Sequence, residues 1–269
     1  MKMTYSLSLA VVLTFFFLFV PVAHALDFSG GQWVDLTHEF SEETIYWPSA
    51  KTFKKTTVFE GVTDGGYYYS AYNFEAAEHG GTHVDAPVHF YRGGNTVEQI
   101  PIEQLIGDAV VIDVTEKVRK NRDYQVSVED ILTWEKEHGT LPQKSIVLIH
   151  TGMSVFWPER KKYMGSDKRG KEGIQELSFP GIHPRTAEFL TTQRTIKAIG
   201  LDTPSLDYGK SKDFKTHQIL FKKNIPGFEN LTNIDKLPSK GAIIFALPMK
   251  IKGGSGGPLR IIAFVPDEE

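Results

Sequence analysis

Three of the chain's nine histidines and one aspartate fall within eleven positions, in the stretch Glu78-His79-Gly80-Gly81-Thr82-His83-Val84-Asp85-Ala86-Pro87-Val88-His89-Phe90. The spacing is His-x3-His-x-Asp-x3-His. In extended backbone side chains alternate with period two, so His83 and Asp85 share a face, and His79, four residues earlier, has the same parity. Imidazole nitrogen and carboxylate oxygen suit zinc or manganese, and the two glycines let the backbone bend to bring His79 onto the same ion. Pro87 ends ladder pairing, which leaves His89 past a turn, beside a metal rather than on it. A histidine-rich surface loop is the plain alternative. Four such groups bounded by glycine and proline argue against it.

The segments around this stretch must position it. Trp33–Thr37 alternates as a strand does, and Ile45-Tyr46-Trp47-Pro48 is a loop whose aromatic either packs or walls a pocket. Lys54–Glu60 and Tyr67–Ala76 read as two strands joined by a turn at Asp64-Gly65-Gly66. Ile102–Leu105 makes a helical turn. Ala109–Val114, Ser145–His150 and Ile196–Leu201 are apolar runs of strand length, typical of strands buried on both faces. Ser127 caps a helix that carries Ile131, Leu132 and Trp134 and stops at Gly139. Residues 158–175, rich in Lys, Arg and Gly, read as a mobile surface excursion. Pro184 opens another helix with His183 at its start as a capping or surface residue; His138 and His150 have no clustered partners and read as structural or solvated. Asp202-Thr203-Pro204-Ser205 follows a buried strand, where α/β proteins commonly place their chemistry.

His217, in a helical segment with Phe214, Leu220 and Phe221, and Glu229, after Pro226-Gly227-Phe228, are unremarkable alone. Together they could complete a site for which His79, His83 and Asp85 are too few. Near the end, Gly241–Pro248 and Leu259–Val265 are strands around Lys252-Gly253-Gly254-Ser255-Gly256-Gly257-Pro258. This glycine segment lacks the Gly-Lys-Ser/Thr of a phosphate loop, and reads as a tight backbone approach near the site or a subunit contact.

Composition narrows the function. The chain has 269 residues, 30 Lys and Arg against 33 Asp and Glu, and no cysteine. Without a basic surplus there is no footprint for nucleic acid. Without cysteine, thiolate catalysis and thiolate-bound zinc are excluded, so a metal would be held by His, Asp and Glu alone. Lys2, the apolar run Leu7–Val20 and Ala23-His24-Ala25 form a signal-peptide pattern over residues 1–25. The expected product is one secreted or lumenal α/β domain over residues 26–269, with no stable membrane span after cleavage.

The stretch His79–Phe90, read with Asp35-Leu36-Thr37, Trp47-Pro48, Gly200-Leu201-Asp202-Thr203, His217 with Glu229-Asn230-Leu231, and Gly253–Pro258, resembles the cyclase family, which includes bacterial-type kynurenine formamidase and isatin hydrolase. The landmarks occur in the family's order over nearly the whole mature chain. The resemblance implies a single-domain swivelling β/β/α fold with a mixed central sheet or barrel, assembled as homodimers or homotetramers. It implies that His79, His83, Asp85 and Glu229 bind one zinc ion, and that Asp85, His217 and Glu229 bind a second. His89 is implied as proton donor and acceptor, and Trp47 as a substrate contact. Isatin hydrolases use manganese, so zinc or manganese and one or two ions stay open.

The expected activity is metal-dependent hydrolysis of an aryl formamide such as N-formylkynurenine, with isatin-like opening of a cyclic amide as the alternative. Trp47 and Phe90 would hold the aromatic ring in either case. A reading of another class is a secreted, non-catalytic binding protein that keeps the metal as a structural clip. Asn230-Leu231-Thr232 is a glycosylation sequon beside Glu229, expected to be unmodified because a glycan there would obstruct the site.

Overall fold

A computed structural model describes residues 28–267. The signal-peptide expectation falls on residues 1–25, outside the described residues. Among the described residues no helix is long and apolar enough to cross a membrane.

The described residues open with β1 (Gly31–Asp35), a hairpin of β2 (Lys54–Val62) and β3 (Tyr68–Glu75), and the short β4 (His83–Asp85). It continues through α1 (Ile102–Leu105), β5 (Ile106–Asp113), α2 (Thr115–Lys120), β6 (Gln125–Val126), α3 (Val128–His138) and β7 (Ser145–His150). The second half holds α4 (Arg160–Met164), α5 (Gly170–Gln175), β8 (Gly181–Ile182), α6 (Pro184–Thr192), β9 (Ile196–Leu201), α7 (Lys215–Phe221), β10 (Gly227–Glu229), β11 (Lys240–Pro248) and β12 (Gly256–Pro266).

The main sheet runs β1-β12-β11-β5-β7-β9-β10-β4, and a further β12–β4 pairing closes seven of these strands into a mixed barrel. One apolar cluster, with Val84, Val111, Leu148, Ala198, Phe228, Ile244 and Ile261, draws on all seven and fills the interior. A second cluster takes the alternate residues Val110, Ile112, Val147, Ile149, Ile199 and Leu201 and packs them under α3, α6 and α7. Strands β5, β7 and β9 are therefore covered on both faces, which is why they read as unbroken apolar runs.

Local signals act where expected. Ser127 and Asp130 form a reciprocal capping box on α3, with Gly139 at its far end. His183 caps α6 through its Nδ1, which accepts from the Arg185 amide. Residues 158–175 depart from the surface-excursion reading: they form α4 and α5, with Tyr163 and Met164 fully buried. Their arginines reach backbone carbonyls of the preceding loop. Arg160 donates to the Tyr46 carbonyl at 2.7 Å and Arg169 to the Trp47 carbonyl at 3.3 Å, so the basic run fastens the loop that carries Trp47. Among the described residues β2 and β3 pair only with each other, and they leave Tyr68, Tyr69 and Phe74 exposed.

Candidate metal centre

Strand parity builds the first half of the site. In β4, Val84 points into the barrel, so His83 and Asp85 point outward. β10 pairs antiparallel with β4 in a register that sets Glu229 opposite His83 and Gly227 opposite Asp85. Directly opposed residues project to the same face, so Glu229 joins the two ligand candidates. His217 arrives from α7, and His79 from the turn before β4, where Gly81 adopts φ +58.

Imidazole nitrogens of His79, His83, His217 and His89 surround Asp85. Its Oδ1 is 2.7 Å from His79 Nδ1 and 3.1 Å from His83 Nε2; its Oδ2 is 3.3 Å from His217 Nε2 and 3.9 Å from His89 Nε2. Glu229 Oε1 lies 3.1 Å from His217 Nε2 and Oε2 lies 3.5 Å from His83 Nε2. Asp85, His83, His217 and Glu229 are buried.

The second nitrogen of each imidazole is held elsewhere. His83 Nδ1 is 3.0 Å from the Gly81 carbonyl, His217 Nδ1 is 2.6 Å from Asp207 Oδ2, and His79 Nε2 is 2.8 Å from Ser255 Oγ. Held this way, each ring turns its remaining nitrogen toward Asp85. His83 Nε2 is buried and, though close to both carboxylates, makes no well-formed hydrogen bond with either. Two buried carboxylates ringed by three imidazole nitrogens, one of them unpartnered, fit a divalent cation; ligand atoms of His83, Asp85 and Glu229 all lie within 4.8 Å of one another, as do those of His79, Asp85 and His89.

Electrostatics agree. Burial opposes charge on His217, yet Asp207, Asp85 and Glu229 outweigh it and hold the imidazolium well above its ordinary range. His83 is raised against the same opposition by Asp85, Glu229 and the Gly81 carbonyl. Burial pushes Asp85 up, but His79, His217 and His83 bring it well below the carboxylate range. Burial and then the Asp85 charge push Glu229 up. The surrounding carboxylates thus favour a proton on His217 and, in the same direction, on His83.

A cavity of about 300 Å³ opens above the cluster, walled by Trp47, Phe90, Phe214 and Tyr46. His89, on a 3-10 turn over Pro87–His89, stacks on His79 at 3.8 Å with 30% of its side chain exposed. The surrounding walls still desolvate it, and with the neighbouring imidazoles they outweigh Asp85, lowering its pKa to about 4. It is neutral at pH 7.

Every residue singled out in the sequence for metal, proton transfer or substrate lies at this cluster or its cavity. Asp207 is a functional candidate that spacing alone does not reveal. It accepts from the Thr216 and His217 amides at the start of α7 as well as from the His217 ring. An aspartate before a helix is a common cap, and only the fold shows that this one faces the candidate ligand His217. Asn230 is buried, its Nδ2 donating to the Gly81 carbonyl and its Oδ1 accepting from Tyr163, so the sequon has no accessible amide.

Fold and sequence together place the chain in the cyclase family: the family described as "Putative cyclase" matches residues 34–208, which include His79, His83, Asp85 and His89, while His217 and Glu229 lie beyond. Isatin hydrolase from Roseibium aggregatum is 30% identical over 213 residues, covering 76% of this chain and 78% of that protein. Kynurenine formamidase from Bacillus cereus is 25% identical over 231 residues, covering 86% and 96%. In structure the chain is similar to isatin hydrolase A from Ralstonia solanacearum, with TM-score 0.79 and 32% identity over 87% of this chain and 92% of that one.

Proposed function

We propose that this chain is a metal-dependent amidohydrolase that cleaves the carbonyl–nitrogen bond of a small aromatic amide. The observation that carries the reading is the set of three imidazoles, each pinned by one nitrogen and turned by the other toward Asp85, beneath an aromatic cavity. His79, His83, Asp85, His217 and Glu229 would hold the cation, zinc or manganese. The two Asp85 oxygens face different partners, which is compatible with one ion or two. When bound, the cation supplies Lewis acidity, acidifying water and polarising the amide carbonyl.

The remaining chemistry belongs to the chain. Trp47, Phe90 and Phe214 grip an aromatic ring at the cavity wall. His89, neutral and open to the cavity, takes a proton from the attacking water as its oxygen bonds to the carbonyl carbon. It returns that proton to the departing nitrogen as the carbon–nitrogen bond breaks. A purely structural metal clip has no use for an open aromatic cavity or a free imidazole beside it.

Of the two substrate readings, the higher identity to isatin hydrolase than to kynurenine formamidase favours a ring amide over an aryl formamide. The test is turnover of isatin and N-formylkynurenine by purified protein loaded with zinc and, separately, manganese. Turnover of isatin above N-formylkynurenine is expected; no turnover of either with either metal rejects the activity.

Two further proposals accompany this one. The signal-peptide pattern of residues 1–25 supports a secreted or lumenal location, tested by whether the exported protein begins at Leu26. The exposed tyrosines and phenylalanines of the β2–β3 hairpin support a homodimer or homotetramer, tested by light scattering in solution.

A further inference from the structure

Among the three imidazoles His79 is the least constrained by the fold. It lies in a turn rather than a strand or helix, and 22% of its side chain is exposed, against 3% for His83 and His217. Its ring is held by the glycine segment Lys252–Pro258. His79 Nε2 is 2.8 Å from Ser255 Oγ, Ser255 Oγ donates to Glu78 Oε2 at 2.7 Å, and the Ser255 amide donates to the same oxygen at 2.9 Å.

We propose that Ser255 and Glu78 are positioning residues that fix the tautomer and orientation of His79 for the cation, and that the glycine segment exists to deliver Ser255. The proposal rests on the metal-centre reading above. A serine hydroxyl has one proton, and a carboxylate can only accept. With that proton given to Glu78, Ser255 Oγ must accept from His79, so Nε2 carries the hydrogen and the Nδ1 lone pair faces Asp85 Oδ1 at 2.7 Å. Two acceptors at that distance repel unless a proton or a metal ion lies between them. The relay thus presets His79 as a ligand through Nδ1, as the Gly81 carbonyl and Asp207 preset His83 and His217 through Nε2.

The backbone of the segment fits this role. β12 pairs with β4 so that Gly256 stands opposite Asp85. A Cβ there would come within 2.6 Å of His79 Cε1 and 2.5 Å of the Val84 carbonyl, so the His79 ring occupies the space a side chain would need. On either side, the Ala86 amide bonds the Ser255 carbonyl at 2.9 Å and the Val97 amide bonds the Gly254 carbonyl at 3.0 Å, anchoring the loop against the ligand stretch.

The test compares wild type with Ser255→Ala, Glu78→Gln and the double variant, each stripped of metal and confirmed folded by circular dichroism. Zinc and manganese dissociation constants are measured by chelator competition, and the His79 tautomer is read from long-range 1H–15N spectra of the metal-free protein at a pH where the ring is neutral. Ser255→Ala is expected to weaken metal binding by about 10- to 100-fold and to abolish the single Nε2–H tautomer. Glu78→Gln is expected to weaken binding several-fold, with the double variant within about twofold of Ser255→Ala because the two act in series. Metal affinity within twofold of wild type in Ser255→Ala, with His79 still in the Nε2–H form, overturns the proposal. Should Ser255→Ala not fold, an unchanged affinity and tautomer in Glu78→Gln overturns it instead. These readouts involve no substrate, so a protein that hydrolyses neither isatin nor N-formylkynurenine rejects the amidohydrolase reading while leaving this test intact.

Discussion

His83 and Glu229 are direct cross-strand partners, with Nε2 and Oε2 3.5 Å apart across the β4–β10 pair. That register, with the period-two alternation that turns Asp85 to the same face, joins a local histidine motif to candidate ligands from the other half of the chain. Under the proposed chemistry, metal retention and catalysis depend on different residues.

Asp85→Ala is expected to lose bound metal and essentially all turnover, whereas His89→Ala keeps the metal and loses about 10²- to 10⁴-fold in rate. Metal content by emission spectrometry, measured beside the rate, separates the two. An active His89→Ala protein would contradict the acid–base role.

Asp207→Asn is expected to weaken metal binding by about 10- to 100-fold, because the carboxylate that holds His217 Nδ1 is replaced by an amide. The two backbone amides at the head of α7 donate to different oxygens of Asp207, so asparagine keeps an acceptor for only one of them and stability should fall by about 1 to 2 kcal/mol. Chelator competition and thermal unfolding supply the two numbers. Unchanged affinity would remove Asp207 from the centre.

These residues also mark how far the sequence could be read. The His-x3-His-x-Asp motif, the doubly buried strands β5, β7 and β9 and the Ser127 cap each rest on local periodicity or a local hydrogen bond. Asp207 acts through a ring ten residues on, and Ser255 through a turn on the opposite side of β4; only strand pairing makes such neighbours. The helices α4 and α5 were hidden by their lysines and arginines, which look solvated until Arg160 and Arg169 are seen donating to the carbonyls of the Trp47 loop.

Metal binding should release protons at pH 7. Asp207, Asp85 and Glu229 outweigh burial and hold the His217 imidazolium well above its ordinary range, and His83 is raised in the same direction, so His217 must shed a proton to become a ligand. Calorimetric titrations in buffers of different ionisation enthalpy measure the number released. A buffer-independent enthalpy would mean the histidines are already neutral.

His38 sets a stability trend outside the metal centre. Its ring stacks on Trp157 at 4.2 Å, its Nε2 is buried without a hydrogen bond, and burial lowers its pKa to about 4. The unfolded chain, with an ordinary imidazole, binds the proton more readily, so the contribution of neutral His38 is full above pH 6.5 and is lost as pH falls through 4. His38→Phe keeps a ring against Trp157 and removes the titration. Its unfolding free energy should fall less than that of wild type between pH 6.5 and 4, by on the order of 2 kcal/mol. Parallel denaturation curves would contradict this.

The most direct measurement is titration of zinc and manganese into chelator-stripped protein, with hydrolysis followed at each addition, for wild type and Asp85→Ala. Wild type should bind one or two ions per chain and gain amide hydrolysis in step with occupancy, while Asp85→Ala binds none at the same concentrations. Hydrolysis that is independent of added metal, or equal binding by Asp85→Ala, would contradict a cation held by His79, His83, Asp85, His217 and Glu229.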